Sequence, residues 1–396
     1  MAHDTVTGLD LLRAARREWK TRGLSVTSAL LLGLLSTACF EKAPEFPLVP
    51  TWQEPPGGTA ALDEKALELS KEADEAFEEM EDDAFLDRPE IVERLEEVVG
   101  RLWPDDGRRP LPPNLRIRIS DVVEANAGAW PNGMIVVTAG LLVRMDSEAQ
   151  AASLLGHELV HALERHSAAE ALYAEMTPSH VDRMLLSKEL ESRADDGAYR
   201  LALDAGYAPE AAVGMLRVLA ESGDAPTWGR IRAWESHPDL SARIRAMELR
   251  AAKESEAGEG RVAADEWVAL IDPIRLHVAR LAIEARDRAF AEENVESYLE
   301  RHPGSGRALW TRAEILKRFE RGDERDALIL AALEDAYTAS PDDADVLRAL
   351  GMELRRRGED ERARDLLARY LAVRPEAIDR RMIERYLGRS VTGMAE

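Results

Sequence analysis

Hydrophobic residues follow two different periods along the chain. Apolar positions recur every three to four residues over 89–103 and 181–205, which predicts two amphipathic α-helices. Residues 115–119 alternate apolar and basic, and 134–138 begin with four apolar residues, so both segments predict short strands. Between them, the Asn, Gly and Pro of 126–133 predict either a turn before a strand or the bend of a hairpin. Few strands among many helices predict a mostly helical α+β fold with a small sheet.

The last third of the chain is predicted to be helical and repetitive. Pro341 and Pro375 are 34 residues apart, and Pro303 stands 38 residues before Pro341. Small residues occupy fixed offsets before these prolines, namely Ala279, Ala291, Gly351 and Ala363. A 34-residue period with small residues where helices cross is typical of tetratricopeptide repeats, which bind protein segments. An unrelated helical bundle is the alternative.

The first forty residues have the composition of an export signal. Five basic residues between Arg13 and Arg22 precede an apolar run over 24–35, which is short for a membrane span. Small residues then lead to Cys39, the only cysteine. This order predicts a bacterial lipoprotein signal acylated at Cys39, facing the periplasm from the outer membrane because Phe40 rather than aspartate follows. A signal cut without lipidation and an uncleaved anchor are the alternatives.

Charge and cysteine content exclude several classes of function. The chain has 52 basic and 75 acidic residues, a net charge of −23, and no basic footprint for nucleic acid. A single cysteine excludes an internal disulfide and a cysteine-rich metal site. Neither a phosphate-binding glycine loop, nor a dinucleotide-binding one, nor a G-x-S-x-G nucleophile turn occurs.

Residues 157–161 have the pattern H-E-x-x-H inside an apolar, alanine-rich segment. Residues four apart leave one face of an α-helix one turn apart, so His157 and His161 can bind one tetrahedral zinc ion. Glu158 would lie beside that metal and take a proton from water. The alternative is an amphipathic helix with two surface histidines, although charged residues buried in such a helix are costly without coordination.

Two histidines leave one protein ligand to be found. His166 follows His161 by five residues with no glycine between them and points about 140° away from the ligand face, which indicates a structural or surface histidine. Glu191 lies on the next strong helix, but spacing alone does not distinguish it from Glu189. Asp195, one turn after Glu191, could orient a ligand imidazole or pair with an arginine.

Four ordered segments resemble the HtpX and CAAX prenyl protease family of gluzincin metallopeptidases, especially its BepA-like periplasmic branch with C-terminal tetratricopeptide repeats. Together they cover about residues 85–250. They are N-A-G-A-W-P-N-G and T-A-G-L-L within 126–142, G-H-E-L-V-H-A-L-E-R-H at 156–166, E-S-R-A-D and A-G-Y-A-P-E within 191–210, and H-P-D-L-S-A-R-I at 237–244. The chain departs from the family at Gly128, where an aromatic is usual, and in having only 29 residues between His161 and Glu191.

The resemblance implies a fold and a metal site. It implies a zincin-type metallopeptidase domain that binds one Zn²⁺ per chain through His157, His161 and Glu191. Glu158 would act as the general base toward water and return the proton to the leaving amine. Asp195 and Arg243 would hold the ligands in place from behind.

The resemblance also implies how substrate is held. A protein or peptide substrate would be added as a strand at a sheet edge formed by Met134, Ile135, Val136 and Val137. His237 would lie near the active site, as a fourth ligand that closes the open position or as a group that stabilises the oxyanion. A third possibility is that His237 only begins a helix before Pro238.

We therefore interpret the chain as a zinc metalloendopeptidase of the bacterial envelope. It would hydrolyse misfolded or mis-assembled envelope proteins, while its repeats recruit a partner or substrate and Cys39 anchors it to the membrane. The predicted domains are a signal (1–39), a proline-rich tether (40–60), a metallopeptidase domain (61–250), a linker (251–265) and tetratricopeptide-like repeats (266–396). The alternative is a non-catalytic periplasmic chaperone with a structural zinc, which would need the histidines but not Glu158.

Overall fold

The computed structural model describes residues 58–78, 84–104, 111, 114–177, 179–222, 240–254, 260–322 and 324–388. The predicted signal, residues 40–57 of the predicted tether and His237 lie outside them. The chain divides into two units, one up to Ile271 and one from Asp272 onward.

The first unit is mostly helical, in agreement with the hydrophobic pattern. Its helices are α1 (Gly58–Glu78), α2 (Pro89–Leu102), α3 (Ala139–Leu142), α4 (Glu148–Glu164), α5 (His166–Met176), α6 (His180–Asp204), α7 (Glu210–Glu221), α8 (Leu240–Glu254) and the start of α9 (Ala264–Ala285). The predicted helices 89–103 and 181–205 coincide with α2 and α6 to within one residue at each end. Across the part of the chain described, no helix combines the length and the apolar character needed to cross a membrane.

Three short strands form the only sheet among the described residues, in the order β1 (Arg116–Ser120), β3 (Met134–Thr138), β2 (Ala127–Ala129). β3 runs parallel to β1 and antiparallel to β2, so the segment after 126 is a hairpin. The predicted substrate edge at Met134 to Val137 is therefore wrong, because β3 has a neighbour on each side and is buried throughout. An apolar run predicts a buried strand, but it does not predict which strands flank it. The outer strand beside β3 is β2.

Helix α4, which carries the H-E-x-x-H residues, begins at a well-formed cap. The Ser147 hydroxyl accepts a hydrogen bond from the Gln150 backbone N–H at 3.3 Å, as expected for a serine before a helix. The backbone oxygens of Val262 and Ala263 accept from the first N–H groups of the helix, those of Ala149 and Glu148. Most residues of α4 are buried, so the helix is a central element of the unit rather than a surface helix.

The segment predicted to be a linker, 251–265, is structured where it is described. Residues up to Glu254 belong to α8, and α9 begins at Ala264. Between them, Arg261 exchanges backbone hydrogen bonds with Gly206 and Ala208, at 2.8 and 3.0 Å. The lack of apolar periodicity predicted an unpacked segment, but the backbone hydrogen bonds of 261–263 fix it to the first unit.

The crossing of α4 and α6 is unusually close because both helices have small residues there. A Cβ atom on Gly156 would lie 3.2 Å from the Cα of Ala198, and one on Gly197 would lie 2.6 Å from a Val160 methyl group. Later residues of α4 face earlier residues of α6, so this contact sets the separation between His161 and the segment around Glu191.

The second unit contains only helices among its described residues. After α9 these are α10 (Arg288–Arg301), α11 (Gly306–Phe319), α12 (Arg325–Ala339), α13 (Ala344–Arg357), α14 (Asp360–Val373) and α15 (Arg380–Tyr386). The small residues that suggested helix crossings are buried: Ala279, Ala291 and Ala363 have no exposed surface, and Gly351 faces Leu367. The identification of these helices as tetratricopeptide repeats stays a prediction.

We predict that Gly156→Val destabilises the first unit. The added methyl groups would enter the space occupied by the α6 backbone, and overpacking of this kind costs about 1–3 kcal/mol. Urea unfolding of the metal-free protein, followed by circular dichroism, measures the change.

Gly100→Val is the matched control. Gly100 also lies within a helix, α2, but no atom is within 4 Å of where its Cβ would stand. Equal unfolding midpoints for the two variants would show that the α4–α6 contact is not as tight as described.

Candidate metal centre

Helices α4 and α6 bring three potential metal-ligand side chains together. The Nε2 atoms of His157 and His161 are 3.0 Å apart. The carboxylate of Glu191 lies 3.4 Å from the first and 3.3 Å from the second. Among the described residues, these three form the one group of His, Cys, Asp or Glu side chains whose atoms converge closely enough to share an ion.

The spacing of the three ligand side chains fits zinc. Two ligands bound at 2.0–2.1 Å with a tetrahedral angle between them are separated by about 3.3 Å. The imidazole nitrogens are 3.0 Å apart, and Glu191 places Oε2 3.4 Å from His157 and Oε1 3.3 Å from His161, all close to that value. Two imidazoles and one carboxylate are also a ligand set that leaves a fourth tetrahedral position open, as catalytic zinc sites require.

Asp195 and Arg243 support two of the ligands from behind. Asp195 Oδ1 is 3.1 Å from Nδ1 of His157, the ring nitrogen opposite the ligand atom. The Nε and Nη2 atoms of Arg243 each donate to Asp195 at 2.7 Å, and its Nη1 is 2.8 Å from Glu191. Arg243, from α8, therefore connects the two carboxylates that α6 presents one turn apart.

These contacts determine the charge of the pocket. Burial disfavours ionised Asp195, but hydrogen bonds from His157 and Arg243 outweigh it and lower the pKa of Asp195. Burial likewise opposes a charge on His157, yet Asp195 and Glu191 raise its pKa to about 10. The carboxylates therefore attract positive charge to the ligand atoms, and a divalent cation bound there would take the place of the proton on His157.

Glu158 is buried beside this cluster without being part of it. Its side chain has 3% of its surface exposed. Burial opposes the charge of Arg243, but Asp195, Glu191 and Glu158 outweigh it and raise the pKa of the guanidinium, which places Glu158 in the same electrostatic environment. Following His157 on α4, it occupies the position that the H-E-x-x-H pattern reserves for a general base.

The β2–β3 hairpin lies beside the second histidine. A cavity of ≈ 50 Å³ is lined by His161, Arg165 and, from the hairpin, Ala129, Trp130 and Gly133. Helix α1 covers this side of the hairpin, where Asp74 accepts a hydrogen bond from Asn132 at 3.0 Å and Phe77 packs edge-on against Trp130. The outer strand of the sheet therefore ends next to the ligand cluster.

The interpretation of His166 as a residue pointing away from the site is wrong. Helix α4 ends at Glu164, and Arg165 adopts a left-handed conformation with φ 56°. This break turns the chain back, so Nδ1 of His166 lies 2.9 Å from Nδ1 of His161. Burial lowers the pKa of His166, with the charge of His161 acting in the same direction and Glu164 opposing both, which favours the neutral ring.

Sequence reasoning missed His166 because it extended the helix one turn too far. No glycine or proline marks the end of α4, so nothing local in the sequence signalled the break. His237 and Cys39 lie outside the described residues, and their roles stay predictions.

Fold and site together define the class. A helix with H-E-x-x-H and a candidate glutamate ligand from a later helix, beside a small sheet, is the arrangement of a zinc metallopeptidase domain.

Comparison with known proteins agrees with this class. The sequence model of Peptidase family M48 matches residues 89–181 and 179–251, so this region is similar to that family of peptidases. The chain is also similar to the mitochondrial metalloendopeptidase OMA1 of Arabidopsis thaliana, with 32% identity over 117 residues. That similarity covers 25% of this chain and 24% of the relative, so the match spans about a quarter of each protein. Both findings support a metalloendopeptidase; the finer assignment to a BepA-like branch stays a prediction.

We predict that Glu191→Ala lowers zinc affinity by more than about 100-fold. Loss of a residue that only holds a ligand in place costs up to roughly 100-fold, and this substitution removes a ligand itself. Chelator competition on the purified protein measures the dissociation constant.

Glu189→Ala is the control, since Glu189 lies two residues earlier on α6 and is half-buried. Loss of zinc from the Glu189 variant with retention by the Glu191 variant would reverse the assignment of the third ligand.

Proposed function

We propose that the chain is a zinc-dependent endopeptidase acting on protein substrates of the bacterial cell envelope. The observation that carries the proposal is the convergence of His157, His161 and Glu191 at zinc-ligand spacing with Glu158 buried alongside. A purely structural metal site would use the three ligands but would not need the buried carboxylate next to them, whose burial is costly.

Each residue has a defined part in the proposed reaction. Zinc, when held by the three ligands, would supply a Lewis acid that polarises a substrate carbonyl and lowers the pKa of a bound water. Glu158 takes the proton from the attacking water and passes it to the amine that leaves. Asp195 holds the imidazole of His157 in orientation through Nδ1, and Arg243 holds Asp195 and Glu191.

Substrate would bind along β2 rather than along β3. Two backbone hydrogen bonds flank β2 on its β3 side. The Thr138 N–H donates to the Asn126 oxygen at 3.0 Å, and the Trp130 N–H donates to the Met134 oxygen at 2.7 Å. Because hydrogen-bonded pairs alternate along an antiparallel ladder, the N–H and C=O groups of Ala127 and Ala129 point away from β3. An extended peptide can add to that side through main-chain hydrogen bonds.

The sequence of β2 leaves room for substrate side chains. No atom lies within 4 Å of the position of a Cβ on Gly128. The absence of an aromatic side chain there therefore leaves one face of the outer strand uncovered, which favours a bulky substrate residue opposite it.

The cellular setting is proposed from the sequence. The basic and apolar segments before Cys39 favour export and acylation at that residue, and the helical unit from 272 onward would recruit a partner or substrate as tetratricopeptide-like repeats. Misfolded or mis-assembled envelope proteins are the proposed substrates, since an extended segment is what β2 can hold.

We predict that Glu158→Gln lowers peptide hydrolysis by about 10²–10⁴-fold while zinc stays bound, because glutamine keeps the shape but not the base. Casein and quenched fluorescent peptides report the rate, and atomic absorption reports the zinc content.

Glu189→Gln serves as the matched substitution on a glutamate outside the ligand cluster and should leave both quantities unchanged. Undiminished cleavage by the Glu158 variant would exclude it as the general base, and absence of cleavage by the unaltered chain would favour the non-catalytic alternative.

For the envelope proposal, Cys39→Ala should abolish incorporation of labelled palmitate and release the protein from the membrane fraction of a bacterial host. The thiol is the only one in the chain, so no other cysteine can replace it. Membrane association that survives the substitution would favour a retained anchor helix instead.

A further inference from the structure

We propose that His166 is a positioning residue that fixes the ring orientation and tautomer of the metal ligand His161. This inference rests on the proposed zinc site. The relevant contact is on the far side of the ligand ring, where the Nδ1 atoms of the two histidines are 2.9 Å apart.

The positions of the nitrogens decide which of the two rings donates. Nε2 of His161 faces His157 and Glu191, at 3.0 and 3.3 Å, so Nε2 is the ligand atom. A neutral imidazole that uses Nε2 as a ligand keeps its proton on Nδ1. His161 Nδ1–H must therefore donate, and Nδ1 of His166 must accept.

The same reasoning extends one group further. If Nδ1 of His166 accepts, its proton is on Nε2, which lies 3.3 Å from Oε2 of Glu164. That carboxylate oxygen also accepts from Nε and Nη2 of Arg193 on α6, at 3.0 and 2.7 Å. His161, His166, Glu164 and Arg193 thus form a continuous hydrogen-bonded chain in which each proton has one consistent place.

The backbone is arranged to make this contact. Arg165 adopts a left-handed conformation, φ 56° and ψ 43°, which is sterically unfavourable for a non-glycine residue. It separates α4 from α5 and places His166 as the first residue of α5, with its side chain folded back over the last turn of α4. His166 is 3% exposed, and its ring stands perpendicular to that of His161.

The two ligand histidines are therefore held by different chemical groups. His157 faces a carboxylate, Asp195, whereas His161 faces a neutral ring. An imidazole acceptor orients the ligand without adding another negative charge to a pocket that already contains two carboxylates in contact with Arg243.

A pair of substitutions of equal shape separates positioning from packing. His166→Leu removes the acceptor, and His166→Asn keeps an acceptor oxygen near the position of Nδ1 on a side chain with the same branching as leucine. With the full chain and zinc alone as probe, we expect the leucine variant to bind zinc about 10–100-fold more weakly. The asparagine variant should recover most of that affinity.

His180→Leu is the control, because His180 is exposed at the start of α6 and should not affect zinc. Equal zinc affinity in the leucine variant and the unaltered chain would overturn the proposal, and so would equal losses in the leucine and asparagine variants. Affinity is read without any assay of cleavage, so this outcome is distinct from a failure of the proposed peptidase function.

A spectroscopic readout tests the tautomer directly. In zinc-loaded protein with ¹⁵N-labelled histidine, His161 should show a protonated Nδ1 that exchanges slowly with water, as it should in His166→Asn. Rapid exchange is expected in His166→Leu; slow exchange there would contradict the assignment.

If His166→Leu fails to fold, Glu164→Leu keeps the test decisive, since that half-exposed carboxylate is the acceptor for His166 Nε2. A smaller loss of zinc affinity is expected, and unchanged affinity would overturn the hydrogen-bonded chain.

Discussion

The guanidinium of Arg243 is the group on which the candidate metal centre depends. Glu191 and Asp195 lie one turn apart on α6, both buried, where two carboxylates repel each other and lose their hydration. Arg243 contacts both, with two hydrogen bonds to Asp195 and one close ion pair to Glu191. Removing one partner of a buried ion pair costs about 3–5 kcal/mol because the remaining charge is left uncompensated.

The arrangement around Arg243 links the fold to the chemistry. Asp195 kept ionised can accept from Nδ1 of His157, and Glu191 kept ionised can serve as a metal ligand. Both functions require α8, which carries Arg243, to pack against α6. The close α4–α6 crossing at Gly156 and Gly197 then sets the distance across which histidines and glutamate meet. The close packing and the ion pairs that the site needs therefore both come from α4, α6 and α8.

Much of this site could be predicted from the sequence because it follows from local geometry. The relation of His157 to His161 is a property of one helix, and the helical periodicity of α2 and α6 was clear within a residue. Glu191 was not distinguished from Glu189 by spacing, because which face of α6 meets α4 is decided by tertiary packing. Only the family resemblance favoured Glu191, the residue that the structure places beside both histidines.

The errors share one physical origin. The periodicity of α4 predicts a helix that continues past Glu164, where the helix in fact ends, and the apolar run of β3 does not reveal that β2 is the outer strand. Residues 261–263 are held in place by backbone hydrogen bonds to Gly206, Ala208 and the start of α4. Such bonds leave no pattern of apolar side chains in the sequence. The periodicity of side chains does not predict helix ends that lack a glycine. It also does not predict the order of strands in a sheet or the pairing of backbone groups.

The supporting residues also show why metal binding and helix packing should be coupled in this domain. Helix α6 supplies the ligand Glu191, the acceptor Asp195 and, through Arg193, the far end of the chain that begins at His161. A displacement of α6 from α4 would remove a ligand and both supports at once, instead of weakening one contact. A metal that binds only the assembled arrangement stabilises that arrangement by mass action, so zinc would favour the packed form of α4 and α6 over any opened one.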